Sequence, residues 1–147
     1  TANILDRKQL SAFFESDFVK NASTATQMIR EYKFHRFVPL RELTANAELA
    51  SALKDRTLYV RGSIDLICIF EDGRIEICDY KTDRVTREER EDPLLLIAHL
   101  KERHGAQLLQ YATAIEEIYH RRPDAVYIFS LPLGKAIKID LAEIETL

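Results

Sequence analysis

Hydrophobic and polar residues alternate in two neighbouring runs near the middle of the chain, Val60–Phe70 and Arg74–Arg84. Both runs are rich in β-branched residues, and the three residues between them, Glu71, Asp72 and Gly73, end in a glycine. Alternation with a period of two is typical of strands, and a short loop closing on Gly is typical of a hairpin whose last loop residue has a positive φ. The pattern therefore predicts an antiparallel hairpin.

The loop of this hairpin also predicts its register. Pairing Phe70 with Arg74 sets apolar residues opposite apolar ones and a carboxylate opposite a carboxylate. The resulting pairs are Ile69 with Ile75, Ile67 with Ile77 and Asp65 with Asp79. Lys81 shares a strand face with Asp79 because alternate side chains point the same way.

Two directly opposed carboxylates repel each other, since Cβ atoms of such pairs are only about 4.5–5.5 Å apart. Asp65 and Asp79 therefore need a counter-ion. Hard divalent cations such as Mg²⁺ are held by one or two carboxylates together with phosphate oxygens and water. The hairpin predicts a metal site for phosphate-ester chemistry. The alternative is structural, with both Asp residues at a solvated sheet end and Lys81 as their salt-bridge partner.

Other segments predict a sheet with helices packed on it. Leu5–Ser16 has helical spacing of Leu10, Phe13 and Phe14 with Asp6 as N-cap, and residues 16–21 form a turn or a second short helix. Residues 29–43 alternate as a first strand, with Pro39 favouring a sheet edge. Residues 44–53 predict a short helix or an irregular link.

The second half of the chain predicts one helix and another hairpin. The helix is expected over Gly105–Arg121 with an inward-facing apolar stripe. That stripe comprises Leu108, Leu109, Ala112, Ile115, Ile118 and Tyr119. Residues 125–131 and 135–140 then predict two strands joined at Pro132-Leu133-Gly134. A helix between two hairpins predicts the α/β class, a mixed β-sheet flanked by helices.

Composition fits one domain spanning residues 1–147, with 46% hydrophobic and 31% charged residues. The chain has no apolar run long enough for a transmembrane helix and begins without the pattern of a signal peptide, so we expect a cytoplasmic protein without a membrane partner. The net charge of -3 is not the usual footprint of a nucleic-acid-binding domain, which is basic. A bound metal would supply positive charge locally.

Three further features have ordinary structural readings. Cys68 and Cys78 lie on the hairpin face opposite the two Asp residues, where small thiols usually fill a core. His35 is more simply a surface residue than a metal ligand. The charge run from Arg87 to Asp92, followed by Pro93, predicts a solvated and mobile face, or a loop that closes on DNA.

The ordered motifs of the chain resemble the RecB-type branch of the PD-(D/E)xK nuclease superfamily. The resemblance covers about residues 31–140. Its motifs are Gly62-Ser63-Ile64-Asp65, a hairpin, Asp79-Tyr80-Lys81-Thr82-Asp83-Arg84, and Gln107 with Tyr111 four residues later. It implies a restriction-endonuclease-like core and hydrolysis of DNA that depends on Mg²⁺ or Mn²⁺. It also implies a nuclease module of a helicase–nuclease that processes double-strand breaks for recombination repair and whose partner is a second helicase–nuclease subunit.

The resemblance also implies roles for individual residues. Asp65, Asp79 and the backbone carbonyl of Tyr80 would hold the metal, and Lys81 would orient or deprotonate the attacking water. The other matching residues are Gln107 and Tyr111 beside the metal centre, Thr82 and Arg84 as DNA contacts, and Glu31 as an accessory acid or, more simply, a solvated strand-end residue.

Other residues of the family pattern have no counterpart here. Some relatives hold an iron–sulfur cluster with four cysteines. This chain has only two cysteines, so we expect no such cluster. The family's histidine in an upstream helix has no match, so we expect a fragment that lacks the first helix of the fold. No phosphate-binding GxxxxGK[ST] loop occurs, so helicase activity and ATP use would belong to the rest of a parent protein. Two alternatives stay open: an inactive nuclease fold that binds DNA or a partner, and a stand-alone restriction- or phage-type nuclease.

Overall fold

The centre of the molecule is a five-stranded sheet with the order β1-β2-β3-β4-β5, as seen in a computed structural model that describes residues 7–144. Its strands are β1 (Gln27–Pro39), β2 (Thr57–Ile69), β3 (Ile75–Lys81), β4 (Ala125–Ser130) and β5 (Lys135–Lys138). The β3–β4 pair is parallel and the other pairs are antiparallel. The predicted α/β class with a mixed sheet is confirmed.

Helices cover both faces of this sheet. They are α1 (Arg7–Glu15), α2 (Asp17–Ala22), α3 (Ala47–Ala52), α4 (Arg87–Glu91) and α5 (Pro93–Tyr119), with short 3-10 turns at Leu40–Leu43 and Leu141–Glu143. Ser16 caps α2 by accepting from the backbone N–H of Val19, and Asn46 caps α3 by accepting from that of Leu49. The predicted cap of α1, Asp6, lies outside the described residues. None of the described helices is long and apolar enough to cross a membrane.

The central hairpin forms as its sequence predicts. The N–H of Phe70 donates to the carbonyl of Arg74 at 2.9 Å, and Gly73 has a φ of 84°. Ile67 pairs with Ile77 and Ile69 with Ile75, so the predicted register is confirmed over the apolar residues. The ladder ends at Leu66 and Cys78, one position before the two Asp residues.

Two hydrophobic clusters hold the helices to the sheet. Helix α5 packs Leu108, Ile115 and neighbouring residues against one face, around Ile67 and Ile77. On the other face, Phe13 and Phe18 of α1 and α2 cover a second cluster that contains Cys68, Cys78 and Phe129. Both cysteines are buried, free and part of this core. Ile118, predicted to face inward, is instead 41% exposed. Leu10 and Phe14, on the helix predicted to be amphipathic, are 38% and 67% exposed.

Helix α5 is longer than predicted because it begins at Pro93 rather than near Gly105. Asp92 accepts hydrogen bonds from the N–H groups of Leu94 and Leu95, and Pro at the first helical position lacks the N–H that would be left unpaired. Gly105 sits inside the helix where a Cβ would lie 3.3 Å from Ile144, so the missing side chain makes room for the C-terminal 3-10 turn.

The prediction that the charge run of residues 87–92 faces solvent is wrong for one residue, Glu89. Residues 87–91 form α4, and Thr86 and Glu89 make a reciprocal capping box at its start. The carboxylate of Glu89 is 1% exposed and also contacts His99, at 2.5 Å, and Arg103, at 3.4 Å. Glu89 therefore joins α4 to α5 instead of facing solvent.

Strands β1 and β2 extend together well beyond β3 and form a two-stranded arm. Their pairing runs from Gln27–Ile69 to Pro39–Thr57, whereas β3 pairs only with residues 66–69 of β2. At the root of the arm, Glu31 has a φ of 50° and neither it nor Asp65 is in the ladder. The alternation of side chains that face the core shifts by one residue there: Ile29 and Ile67 face the core on one side of this point, and Tyr32 and Ile64 on the other. Asp65 thus lies where the sheet opens.

Candidate active site

Five predicted site residues converge where β2 and β3 separate. The Lys81 ammonium lies 2.7 Å from Asp79 Oδ2 and donates a 2.8 Å hydrogen bond to Gln107 Oε1 on α5. Tyr111 lies one helical turn beyond Gln107 on α5, and the Asp79 carboxyl is close enough to Asp65 to raise its pKa. The arrangement joins three carboxylate- and amine-bearing strand residues to two polar residues of one helix face.

The position of Asp65 is set by the backbone. Its Oδ2 accepts a 2.8 Å hydrogen bond from the N–H of Tyr80, so the carboxylate occupies the place where the β2–β3 ladder has ended. Gly62, three residues earlier, permits close packing of the arm, because a Cβ there would lie 2.7 Å from the ring of Phe34. That ring meets Tyr111 edge-on at 5.7 Å, which links the arm to the helix.

Burial shapes the electrostatics of the group. Desolvation, reinforced by the neighbouring Asp79 carboxyl, raises the pKa of Asp65 to about 6. Desolvation beside the same two Asp residues raises the pKa of Tyr111 to about 12, so its hydroxyl stays protonated near neutral pH. Two carboxylates with one nearby lysine leave excess negative charge, which favours a cation.

The donor set fits a hard divalent ion that keeps water or phosphate ligands. Asp79 Oδ2 is buried and makes no well-directed hydrogen bond within residues 7–144, although Lys81 Nζ lies close to it. No group of three or more His, Cys, Asp and Glu side chains with metal-site spacing occurs in that part of the chain. Two carboxylates would leave other coordination positions of the ion for water or substrate. This suits Mg²⁺, which is commonly bound through one or two carboxylates and substrate oxygens.

The remaining predicted site residues lie around this group. Tyr80 belongs to it through its backbone N–H, while its ring packs edge-on against Phe13 at 5.5 Å on the other sheet face. Thr82 and Arg84 are exposed on the segment between β3 and α4. Glu31 is exposed and faces the unpaired position of Asp65 across the arm, and both residues line an apolar cavity that reaches the Phe13 ring.

Sequence analysis missed a second polar network beside the site. The Asp83 carboxylate contacts His104 Nε2 at 2.8 Å and the Arg103 guanidinium at 3.5 Å. Although partial burial opposes it, these contacts hold the pKa of Asp83 below its ordinary value. Arg103 also reaches Glu89, so the network fixes the segment after Lys81 onto α5. The one feature of the sequence that indicates this network is the position of His104, three residues before Gln107.

A mixed sheet that opens beside two acidic residues and a lysine, with helices on both faces, defines a class of fold used by metal-dependent nucleases. Comparison with protein families assigns the chain within that class. It belongs to the PD-(D/E)XK nuclease superfamily, whose family model matches residues 2–145. The α/β sheet and its flanking helices are consistent with this nuclease fold.

The chain is also similar to several proteins described as subunits of an ATP-dependent helicase/nuclease, of the type designated A. The protein from Anoxybacillus flavithermus is 33% identical over 130 residues, which cover 88% of this chain and 9% of the relative. Those from Geobacillus thermodenitrificans and Carboxydothermus hydrogenoformans are each 32% identical, over 88% and 92% of the chain and 10% and 11% of the relatives. The chain thus spans about a tenth of the length of these relatives.

Proposed function

We propose that this domain hydrolyses DNA phosphodiester bonds with Mg²⁺ or Mn²⁺ as the nuclease module of a helicase–nuclease. The observation that carries the proposal is the convergence of Asp65, Asp79 and Lys81 at the opening between β2 and β3, with an unsatisfied Asp79 oxygen among them. The nuclease superfamily of the chain and its similarity to helicase/nuclease subunits support the same reaction.

Asp65 and Asp79 would hold the cation, together with the carbonyl of Tyr80 as the resemblance implies. When bound, the cation would lower the pKa of an attacking water and stabilise charge on the phosphate oxygens. The burial of Asp79 and the partial burial of Asp65 favour this role, because a pair of desolvated acids gains more from a cation than a solvated pair does. The hydrogen bond from Tyr80 N–H would keep Asp65 fixed during the reaction.

Lys81 would orient the attacking water or take up its proton, and would offset charge on the scissile phosphate. Gln107 would position Lys81, since its side-chain oxygen accepts from the ammonium at 2.8 Å. Tyr111 would in turn orient Gln107, with its hydroxyl held in the protonated, donor form by a pKa of about 12. Thr82 and Arg84 would contact the DNA backbone from the exposed segment that follows β3.

The wider assignments rest on similarity alone. The relatives are named as subunits of an ATP-dependent helicase/nuclease, so a parent protein would supply unwinding and would work with a second, AddB-like subunit. Double-strand-break processing for recombination repair is the process we propose for such an assembly. An enzyme of this kind would act in the cytoplasm of its cell.

The experiment that tests the nuclease proposal is cleavage of linear single- and double-stranded DNA in Mg²⁺, Mn²⁺ or EDTA. The chain is compared with Asp79→Asn, which keeps the size of the buried side chain, and with Asp55→Asn as an exposed control. A longer version extended toward the N-terminus is assayed in parallel. We expect metal-dependent cleavage that Asp79→Asn abolishes and Asp55→Asn preserves.

Each outcome of this experiment has a distinct meaning. Activity only in the extended version would show that upstream residues complete the site. Inactivity of both versions, despite calorimetric binding of DNA, would favour an inactive fold that binds DNA or a partner. Equal activity of Asp79→Asn and the unchanged chain would overturn the assignment of the site.

A further inference from the structure

The outer face of the β1–β2 arm carries an unusual combination of side chains. Outward positions alternate with buried Phe34 and Val38, which face the core. Those positions form three cross-strand pairs: Lys33 with Ser63, His35 with Arg61 and Phe37 with Tyr59. We call these six residues the outer ribbon. It is basic and aromatic and has no acidic residue, in a chain whose formal net charge is -3.

The aromatic end of the outer ribbon is open to solvent. Phe37 is 69% exposed and Tyr59 51% exposed, and their ring centroids are 5.2 Å apart. The ring of His35 lies 6.0 Å from that of Tyr59 on the same face. Core packing does not require these rings, because Phe34 and Val38 fill the opposite face. Their exposure points to a ligand that has flat apolar surfaces.

The basic end of the outer ribbon leads toward the candidate active site. Lys33 and Arg61 are exposed and make no ion pair with other residues of the range 7–144. Asp65 follows Ser63 by two residues, at the unpaired position where the core-facing residues switch, and lines a cavity together with Glu31. The strand rise puts Tyr59 about 20 Å from Asp65 along β2. A ligand on the ribbon would therefore reach the end of the arm, where β2 and β3 separate.

We propose that the outer ribbon binds the single-stranded DNA that adjoins the cleavage site. This inference rests on the proposed nuclease function for its substrate. Bases would stack on Phe37, Tyr59 and His35, while Lys33 and Arg61 would contact phosphates. Stacking on aromatic side chains combined with a basic track is the general mode of single-strand binding, and it tolerates any sequence. A duplex would present its bases already stacked and would gain little from these rings.

The chain contains no tryptophan, which allows a direct test of stacking. Phe37→Trp places a single tryptophan on the ribbon, and Leu94→Trp places one at a residue that is 78% exposed on α5. Each variant is titrated in EDTA with an oligothymidylate of about 12 nucleotides, a typical single-strand site size. We expect saturable quenching for Phe37→Trp, weakened by salt, and none for Leu94→Trp. Equal quenching of both, or of neither, would overturn the proposal.

Binding energetics provide a second test with fluorescence anisotropy. The double variant Phe37→Ala, Tyr59→Ala should bind the oligonucleotide roughly tenfold or more weakly, and Arg61→Ala should reduce the salt dependence. Lys135→Ala, at an exposed position on β5 at the opposite edge of the sheet, is the control and should bind normally. Unchanged binding by the double variant would overturn the proposal and leave the ribbon as a contact surface for another part of a parent protein.

These tests do not depend on cleavage, because EDTA removes the metal. Loss of ribbon binding with intact cleavage would reject only this inference. Intact ribbon binding with no cleavage by either this chain or the extended version, under any metal condition, would reject the nuclease function instead.

Discussion

The backbone N–H of Tyr80 donates a hydrogen bond to Asp65 Oδ2 at 2.8 Å, just beyond Leu66 and Cys78, the last pair of the β2–β3 ladder. A side chain of one strand thus replaces a backbone acceptor at the point where the two strands diverge. The arm formed by β1 and β2 can then turn away without leaving an unpaired amide on β3. The same contact holds the Asp65 carboxyl against Asp79, where two like charges are costly without a cation.

That cost predicts a trade between stability and activity at Asp65. Asp65→Asn retains an oxygen for the Tyr80 N–H and removes one charge, so the metal-free variant should be more stable at pH 8, by on the order of 1 kcal/mol or a few degrees in Tm. A pKa raised to about 6 means that the folded protein binds this proton more tightly than the unfolded chain. The contribution of Asp65 to stability is therefore fullest below about pH 4 and is lost as the pH rises through 6.

Thermal unfolding in EDTA between pH 4.5 and 8 checks this expectation. The gain of Asp65→Asn should grow with pH, whereas Asp55→Asn, at an exposed position, should show no such trend. Mg²⁺ should stabilise the unchanged chain and not the variant, and the variant should not cleave DNA. A gain that is independent of pH would mean that charge repulsion between the two Asp residues is not its source.

Lys81 should control the rate of the chemical step more than the binding of DNA. Lys81→Met keeps much of the side-chain volume but removes the ammonium that lies 2.7 Å from Asp79, and we expect a loss of about 100-fold or more in single-turnover rate. DNA affinity should change by only a few fold. Lys20→Met, at an exposed side chain on α2, is the control.

The pH profile of the same reaction tests Lys81 as a base. If Lys81 accepts the proton of the attacking water, the single-turnover rate of the unchanged chain should rise from acidic to alkaline pH, because a general base must be deprotonated to act. A flat profile between pH 6 and 9 with chemistry rate-limiting would argue against this role. It would leave Lys81 only the task of offsetting phosphate charge.

Gln107 should act through Lys81 rather than on the substrate. Gln107→Ala removes the acceptor at 2.8 Å and should lower the rate by roughly tenfold with little change in KM, a loss that corresponds to about one hydrogen bond to a charged group. Gln107→Glu should favour protonated Lys81 and move the rising limb of the pH profile to higher pH. Gln110→Ala, on the same helix but bonded to Arg36, is the matched control. Identical pH profiles for Gln107→Glu and the unchanged chain would exclude this positioning role.

Alternation and turn residues along the chain predicted the central hairpin. They did not predict contacts between distant segments. The loop ending in Gly73 set the register of Ile67 with Ile77, and that register placed Asp65 near Asp79. The Tyr80 contact could not be predicted because it depends on the strands separating. The switch of core-facing residues in β1 and β2 likewise depends on a non-glycine residue, Glu31, adopting a positive φ.

The helices likewise combine local features that the sequence indicates with contacts between distant residues that it does not. Pro93 after a run of charges indicated a loop, yet Asp92 and Pro93 are a favourable cap and first residue for α5. The burial of Glu89 depends on His99 and Arg103, ten and fourteen residues later, which come near it only once α4 packs on α5. Periodicity within either segment carries no information about that contact.

Glu89 should accordingly matter for stability far more than its neighbours in the same charge run. Glu89→Gln keeps the shape of the side chain and weakens the capping box and the contacts to His99 and Arg103, so we expect a clear decrease in Tm at pH 7. Glu88→Gln, exposed in the same helix, is the matched control and should leave Tm nearly unchanged.

The pH dependence of this difference in Tm is a second test of the role of Glu89. The hydrogen bond from the Thr86 N–H, together with His99 and Arg103, holds the pKa of Glu89 below its ordinary value. The folded protein therefore binds this proton less tightly than the unfolded chain, so the stabilisation is present above the ordinary Glu pKa and is lost as the pH falls through the lowered value. The difference in Tm between the unchanged chain and Glu89→Gln should shrink as the pH is lowered from 7 toward 4. A difference that stays constant over this range would show that Glu89 stabilises the α4–α5 contact by packing and not by its charge.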